Sequence, residues 1–206
     1  MQAKQRFINV TLVTPTGEKS QDLLVEGGLI VDIVDRDTQL DENFQTIDGN
    51  DNYIFPGMID VLQHGFLNYL YGHAEENCVV DNVKLLPSVG VTGFLPATPC
   101  LPPEKTHELL GNLSTDIDKA KDGARVLGIH SEGPCFVLPG AHNPKNLRNP
   151  SIELAEELIH STNGKLKAVT IAPEMDGSEH FIKRLKKDNI SIHLGHSGAN
   201  PKDVPM

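Results

Sequence analysis

With 206 residues and a formal net charge of −10, the chain is long enough to bury a sizeable core. Its acidic charge is spread along the sequence rather than massed in a tail, which excludes a non-specific nucleic-acid binder. Hydrophobic residues at 38%, aromatics at 5% and no Trp describe a globular protein with an aliphatic core, and no apolar run approaches the ~18 residues of a membrane span.

The opening Met-Gln-Ala-Lys-Gln-Arg lacks the apolar stretch of a secretory signal. The three Cys (Cys78, Cys100, Cys135) are widely spaced with no Cys-x-x-Cys pair and read as reduced thiols, so a cytoplasmic location is expected. Residues 1–52 carry short alternating runs at Phe7 to Val13, Gln21 to Glu26, Leu29 to Val34 and Phe44 to Ile47, separated by Pro15-Thr16-Gly17 and Gly27-Gly28. This predicts a small antiparallel β unit with too few strands to close a sandwich by itself.

From Tyr53 the pattern becomes strand, loop, helix, repeated over residues 53–206. Strands are predicted at Ile54 to Val61, Val91 to Leu95, Val126 to Ile129, Ala168 to Ile171 and Ile190 to Leu194. Helices are predicted at Glu76 to Ser88, Pro103 to Lys121, Ser151 to Ser161 and Ser178 to Asp188, the last two with Ser as caps. Alternating βα units imply a parallel sheet. A complete eight-fold barrel takes about 250 residues, whereas this part has about 150. The α/β part is therefore an open sheet or about five units of a barrel.

Polar residues gather at the predicted strand ends: Gln63-His64, Thr98, His130-Ser131-Glu132, Glu174 and His196-Ser197. In parallel α/β proteins that end is where ligands bind. Imidazole and carboxylate groups converging from separate strands are what a divalent metal with an open coordination position requires, which singles out His64, Glu132 and His196. Glu174 has the plainer reading of a helix cap, and Cys135 that of a small buried residue. The Gly140-Ala141-His142-Asn143-Pro144 loop follows close enough to fold back over the same face as a substrate-binding loop.

Six segments, in order, resemble the signatures of the N-acetylglucosamine-6-phosphate deacetylase family of the amidohydrolase superfamily. They are Pro56-Gly57-Met58-Ile59-Asp60-Val61, Gly90-Val91-Thr92-Gly93-Phe94-Leu95-Pro96-Ala97-Thr98, Gly128-Ile129-His130-Ser131-Glu132-Gly133-Pro134, Gly140-Ala141-His142-Asn143-Pro144, Thr170-Ile171-Ala172-Pro173-Glu174 and Gly195-His196-Ser197-Gly198-Ala199.

The resemblance implies a partial TIM-like (β/α)8 barrel preceded by a small incomplete β-sandwich, and a metal-dependent hydrolase that removes the acetyl group from N-acetylglucosamine 6-phosphate. It carries Glu132 and His196 over as metal ligands, and Ala141 and His142 as substrate contacts. Many superfamily members have His-x-His where this chain has Leu62-Gln63-His64. Leu62 cannot bind a metal, so one divalent ion is implied, with His64 orienting substrate or water. The ion is zinc by resemblance, although Fe, Co and Mn suit the same donors. The family's third metal ligand, a His, and its catalytic Asp would lie beyond Met206. A homodimer is implied for the full-length family. Two alternatives stand beside this reading: a truncated or degenerate non-catalytic fragment, and an amidohydrolase acting on another N-acetyl hexosamine phosphate or amide.

Overall fold

The computed structural model describes residues 3–40, 43–73 and 77–200. The chain divides into two compact units, with the boundary between Pro56 and Gly57.

The first unit is one five-stranded sheet of β1 (Lys4–Thr14), β2 (Gly17–Lys19), β3 (Asp22–Glu26), β4 (Leu29–Val34) and β5 (Gln45–Ile54). Its small core packs Val10, Leu12 and Leu23 against Phe7, Val25 and Ile54. Strands β2 and β3 run antiparallel to β1, and β4 antiparallel to β3, as period-two alternation predicts. The expectation of a wholly antiparallel unit is corrected by β5, which is longer than the predicted Phe44 to Ile47 run and lies parallel to β1. The Asp-Gly-Asn-Asp-Asn stretch from Asp48 to Asn52 has the composition of a turn. It continues the strand because Asn50 and Asp51 take positive φ beside a break in register at Asn9, whose side-chain amide donates to Asp48. The single strand predicted from Ile54 to Val61 is likewise broken. Phe55-Pro56-Gly57 ends β5, because Pro lacks a ladder donor, and the next strand starts at Met58.

The second unit is α/β. Its sheet contains β6 (Met58–Gln63), β9 (Val91–Thr98), β10 (Arg125–Val126), β11 (Ile129–Glu132), β12 (Leu166–Ile171) and β13 (Ser191–Leu194), and a small separate hairpin of β7 (Gly65–Phe66) and β8 (Tyr69–Leu70) follows β6. Every pairing in the larger sheet is parallel. On one side of β9 lies β6; on the other lie β10 and then β11, followed by β12 and β13. Each new strand thus adds beside the one before it, and the C-terminal ends share one rim.

The predicted third strand is two pieces, because the chain bends at Leu127-Gly128. Gly128 sits at φ +144, and a Cβ there would meet the Lys165 carbonyl at 2.7 Å. Only glycine permits that approach.

Helices α1 (Cys78–Leu85), α2 (Pro103–Lys119), α3 (Ile152–Ser161) and α4 (Ser178–Lys187) occur where helical periodicity predicts them, and α1 passes into a short 3-10 turn, Leu86–Val89. The predicted start of the first helix, Glu76, lies outside the described residues. Ser151 caps α3 by accepting from the Leu154 amide at 3.1 Å, a contact worth about 1 kcal/mol. Ser178 does not cap α4 but is its first residue, after Gly177 at φ +90. The helices bury Leu109, Leu110, Leu113, Leu154, Leu158, Phe181 and Leu185 in one cluster with Phe94, Ile129, Val169 and Ile171 of the sheet, each contributing roughly 1.5–3 kcal/mol of burial free energy. That cluster fixes the strands whose ends carry the polar rim. Among the described residues no helix is long and apolar enough to cross a membrane.

Candidate metal centre

Strand β11 changes character along its four residues. Ile129 belongs to the core, while His130, Ser131 and Glu132 are polar and still buried. His130 is fully enclosed and joins three strands. Its Nδ1–H donates to the Val61 carbonyl at 2.6 Å, and its Nε2 accepts from the Thr170 hydroxyl at 2.8 Å. Burial holds its pKa below the usual imidazole value, so the neutral ring acts as a structural tie. Ser131 donates to the Gly133 carbonyl. Gly133 itself has φ +91, and a Cβ there would lie 2.5 Å from Cys100 Sγ.

Glu132 projects onto the rim with its side chain 10% exposed. Among the described residues no Lys or Arg pairs with it, and its carboxylate meets three imidazoles instead. His196 Nε2 lies 3.4 Å from Oε1, while His142 Nε2 and His64 Nε2 lie 3.3 and 3.4 Å from Oε2. Ligand atoms of Glu132, His142 and His196 all lie within 4.8 Å of one another, close enough to surround one ion. The structure thus brings together four of the five residues singled out from the sequence. Ala141, the fifth, is exposed on the loop beside His142.

The far nitrogen of each ring decides what the near one can do. His196 Nδ1 is 2.9 Å from the Leu138 carbonyl. A carbonyl only accepts, so Nδ1 carries the proton and the neutral ring turns a bare Nε2 lone pair towards Glu132. Two electron-rich atoms facing each other at 3.4 Å need a cation between them, a metal or a proton. The donor set of carboxylate oxygen and imidazole nitrogen therefore fits a divalent metal.

His142 is held the opposite way. Its Nδ1 accepts from the Cys100 backbone amide at 3.3 Å, so the neutral ring carries its proton on Nε2 and donates it towards Glu132. Burial is the chief cause of a lowered His142 pKa, which favours this neutral form. For Nε2 to ligate a metal while Nδ1 still accepts, the ring would have to become an imidazolate. Proximity alone places His142 among the ligands; its hydrogen bonding makes it a donor.

The two loops are built around Phe136, whose ring stacks on His196 at 4.1 Å and tilts against His142 at 5.3 Å. Asn146 donates to the Cys100 carbonyl at 2.9 Å and so braces from its other side the residue whose amide orients His142. Arg148 forms a two-pronged pair with Glu157 of α3 at 2.7 and 2.8 Å, anchoring the far end of that loop. His196 has φ +54, a left-handed conformation costing a residue with a side chain about 1–2 kcal/mol. Burial, and for Cys100 also the Glu132 carboxylate, push the Cys100 and Cys135 thiols up to about 12.

Sequence reasoning missed the Cys100 amide, the Leu138 carbonyl and the Phe136 ring. The first two are backbone groups with no residue-type signature. Phe136 is visible, four residues after Glu132, but nothing in its spacing distinguishes it from a core aromatic.

No family model matches the chain. In a search of curated proteins it is 33% identical over 207 residues to the N-acetylglucosamine-6-phosphate deacetylase of Homo sapiens, covering 95% of this chain and 49% of the human protein. This chain is a homologue of the N-acetylglucosamine-6-phosphate deacetylases. An N-acetylgalactosamine-6-phosphate deacetylase from Escherichia coli O157:H7 is 36% identical over 112 residues, or 53% of this chain and 30% of that protein. Among solved structures, N-acetylglucosamine-6-phosphate deacetylase from Thermotoga maritima matches with a TM-score of 0.73 and 30% identity, covering 94% of this chain and 49% of that one. The chain thus spans no more than about half the length of these deacetylases.

Proposed function

We propose that the rim around Glu132 serves the metal-dependent hydrolysis of an N-acetyl amino-sugar phosphate, giving acetate and glucosamine 6-phosphate from N-acetylglucosamine 6-phosphate. The observation that carries this is the opposed hydrogen bonding of the two loop histidines. It leaves Glu132 and His196 as a metal-ligand pair and His142 as a neighbouring N–H donor. A divalent ion held there supplies Lewis-acid polarisation of an amide carbonyl and of water. His142 Nε2–H reaches the same space and donates to a carbonyl oxygen presented by the substrate, while His64, 47% exposed at its side chain, orients substrate or water at the open side. Ala141 contributes a small surface beside the sugar. In this reading the sheet is about five units of a TIM-like (β/α)8 barrel with an incomplete β-sandwich before it. Zinc, a homodimer and a cytoplasmic location belong to the same reading and rest on family resemblance.

The 36% identity over 112 residues to an N-acetylgalactosamine-6-phosphate deacetylase favours one second reading, in which the 4-epimer is the substrate. Assaying acetate release from both sugar phosphates with the zinc-loaded protein separates them. Release from the gluco compound supports the first reading, and release confined to the galacto compound supports the second. Zinc binding without acetate from either would support a non-catalytic fragment.

A further inference from the structure

His196 combines a left-handed backbone with a ring that must point one way, and two separate sets of contacts hold it. Upstream, its carbonyl accepts from the Val137 and Leu138 amides at 3.1 and 2.8 Å, and its ring donates to Leu138 O. Downstream, the contacts come from Glu174, three residues past the end of β12. One carboxylate oxygen, Oε2, accepts from the Ser197 hydroxyl at 2.8 Å, and the other, Oε1, accepts from the Gly198 amide at 2.6 Å. The Ser197 hydroxyl in turn accepts from the Ala199 amide at 3.0 Å. Glu174 therefore closes a clamp on the two residues that follow His196, at the point where an unsupported chain would relax to negative φ.

We propose that Glu174 is a positioning residue: it holds the Gly195-His196-Ser197-Gly198 turn so that the His196 Nε2 lone pair faces Glu132. It lies at the surface beside the turn, has no contact with Glu132, and acts by accepting two hydrogen bonds rather than by its charge. The consequence for metal binding rests on the proposed function above, whereas the conformational effect does not.

The test uses the metal-free chain labelled with ¹⁵N. Long-range ¹H–¹⁵N spectra report which His196 nitrogen is protonated, and the HN–Hα coupling reports its φ. In Glu174→Ala the Nδ1–H of His196, held in the parent chain by the Leu138 carbonyl, should broaden by exchange and the coupling should move, with the His130 signals unchanged. Glu174→Gln should restore both, because its amide oxygen can accept from Gly198 and its NH₂ can donate to Ser197. Zinc affinity should fall about 10- to 100-fold in Glu174→Ala and return in Glu174→Gln. If His196 keeps a sharp Nδ1–H signal and its φ in Glu174→Ala, or if Gln behaves like Ala, the positioning role is overturned. If the spectra change as stated but no variant binds zinc, the clamp stands and the metal reading fails. Should Glu174→Ala not fold, Ser197→Ala removes one bond of the clamp, and unchanged His196 signals there overturn the proposal equally.

Discussion

The loop after β11 and the loop after β13 deliver imidazoles to the same carboxylate at nearly the same distance, yet they equip them for different chemistry. His142 Nδ1 is capped by an N–H and His196 Nδ1 by a C=O, so one ring presents a proton and the other a lone pair. Distance to a carboxylate therefore does not tell a ring that donates from one that offers a lone pair, whereas the partner of the remote nitrogen does. The loops also differ in how they are held. The His142 loop is fastened at its far end by Arg148 to α3, whereas His196 sits in a strained turn braced from both sides.

Substitutions can break or sharpen this contrast. Glu132→Ala should have the largest effect, since it removes the centre on which both rings converge. Calorimetric titration with Zn²⁺ should lose the site, and unchanged stoichiometry would remove Glu132 from it. His196→Ala should weaken Zn²⁺ by about 100-fold, whereas His142→Gln should change it by less than about threefold while impairing acetate release. Equal losses in the two variants would make both rings ligands and erase the distinction.

The smallest effect concerns the anchor of the His142 loop. Hydrogen bonds from Arg148 hold the Glu157 carboxyl below its ordinary pKa. Because the folded value lies below the unfolded one, the pair's contribution is fully present above about pH 4.5 and is lost as pH falls through the folded pKa. Its residues are about a third exposed, so roughly 0.5–1 kcal/mol is expected after solvent screening. Glu157→Gln should lower stability by that amount at pH 7 and by progressively less as the pH falls below 4.5 in urea unfolding. A difference that does not shrink with falling pH would assign the effect to packing.

The same contrast shows what was legible in the sequence. Glu132 and His196 could be found because an apolar run ending in polar residues marks a strand end, and parallel strands place such ends on one rim. The helices were legible from their periodicity and, for α3, from the Ser151 cap. Breaks at Pro56 and Gly128 were harder, since an apolar run on both sides of a bend looks continuous. The parallel pairing of β5 was hidden by a turn-like composition that a bulge absorbs. Glu174 was visible but read as a helix cap, because its role depends on a contact with residues 23 and 24 positions away. The tautomers of His142 and His196 were beyond reach, because they are set by backbone groups that every residue possesses.

The most direct test is a long-range ¹H–¹⁵N spectrum of the labelled chain before and after one equivalent of Zn²⁺. The account predicts that His196 Nε2 shifts strongly on metal addition, as the nitrogen that takes up the ion, while His142 retains its proton on Nε2 throughout. Loss of the His142 Nε2 proton together with a metal-induced shift of that nitrogen would contradict it.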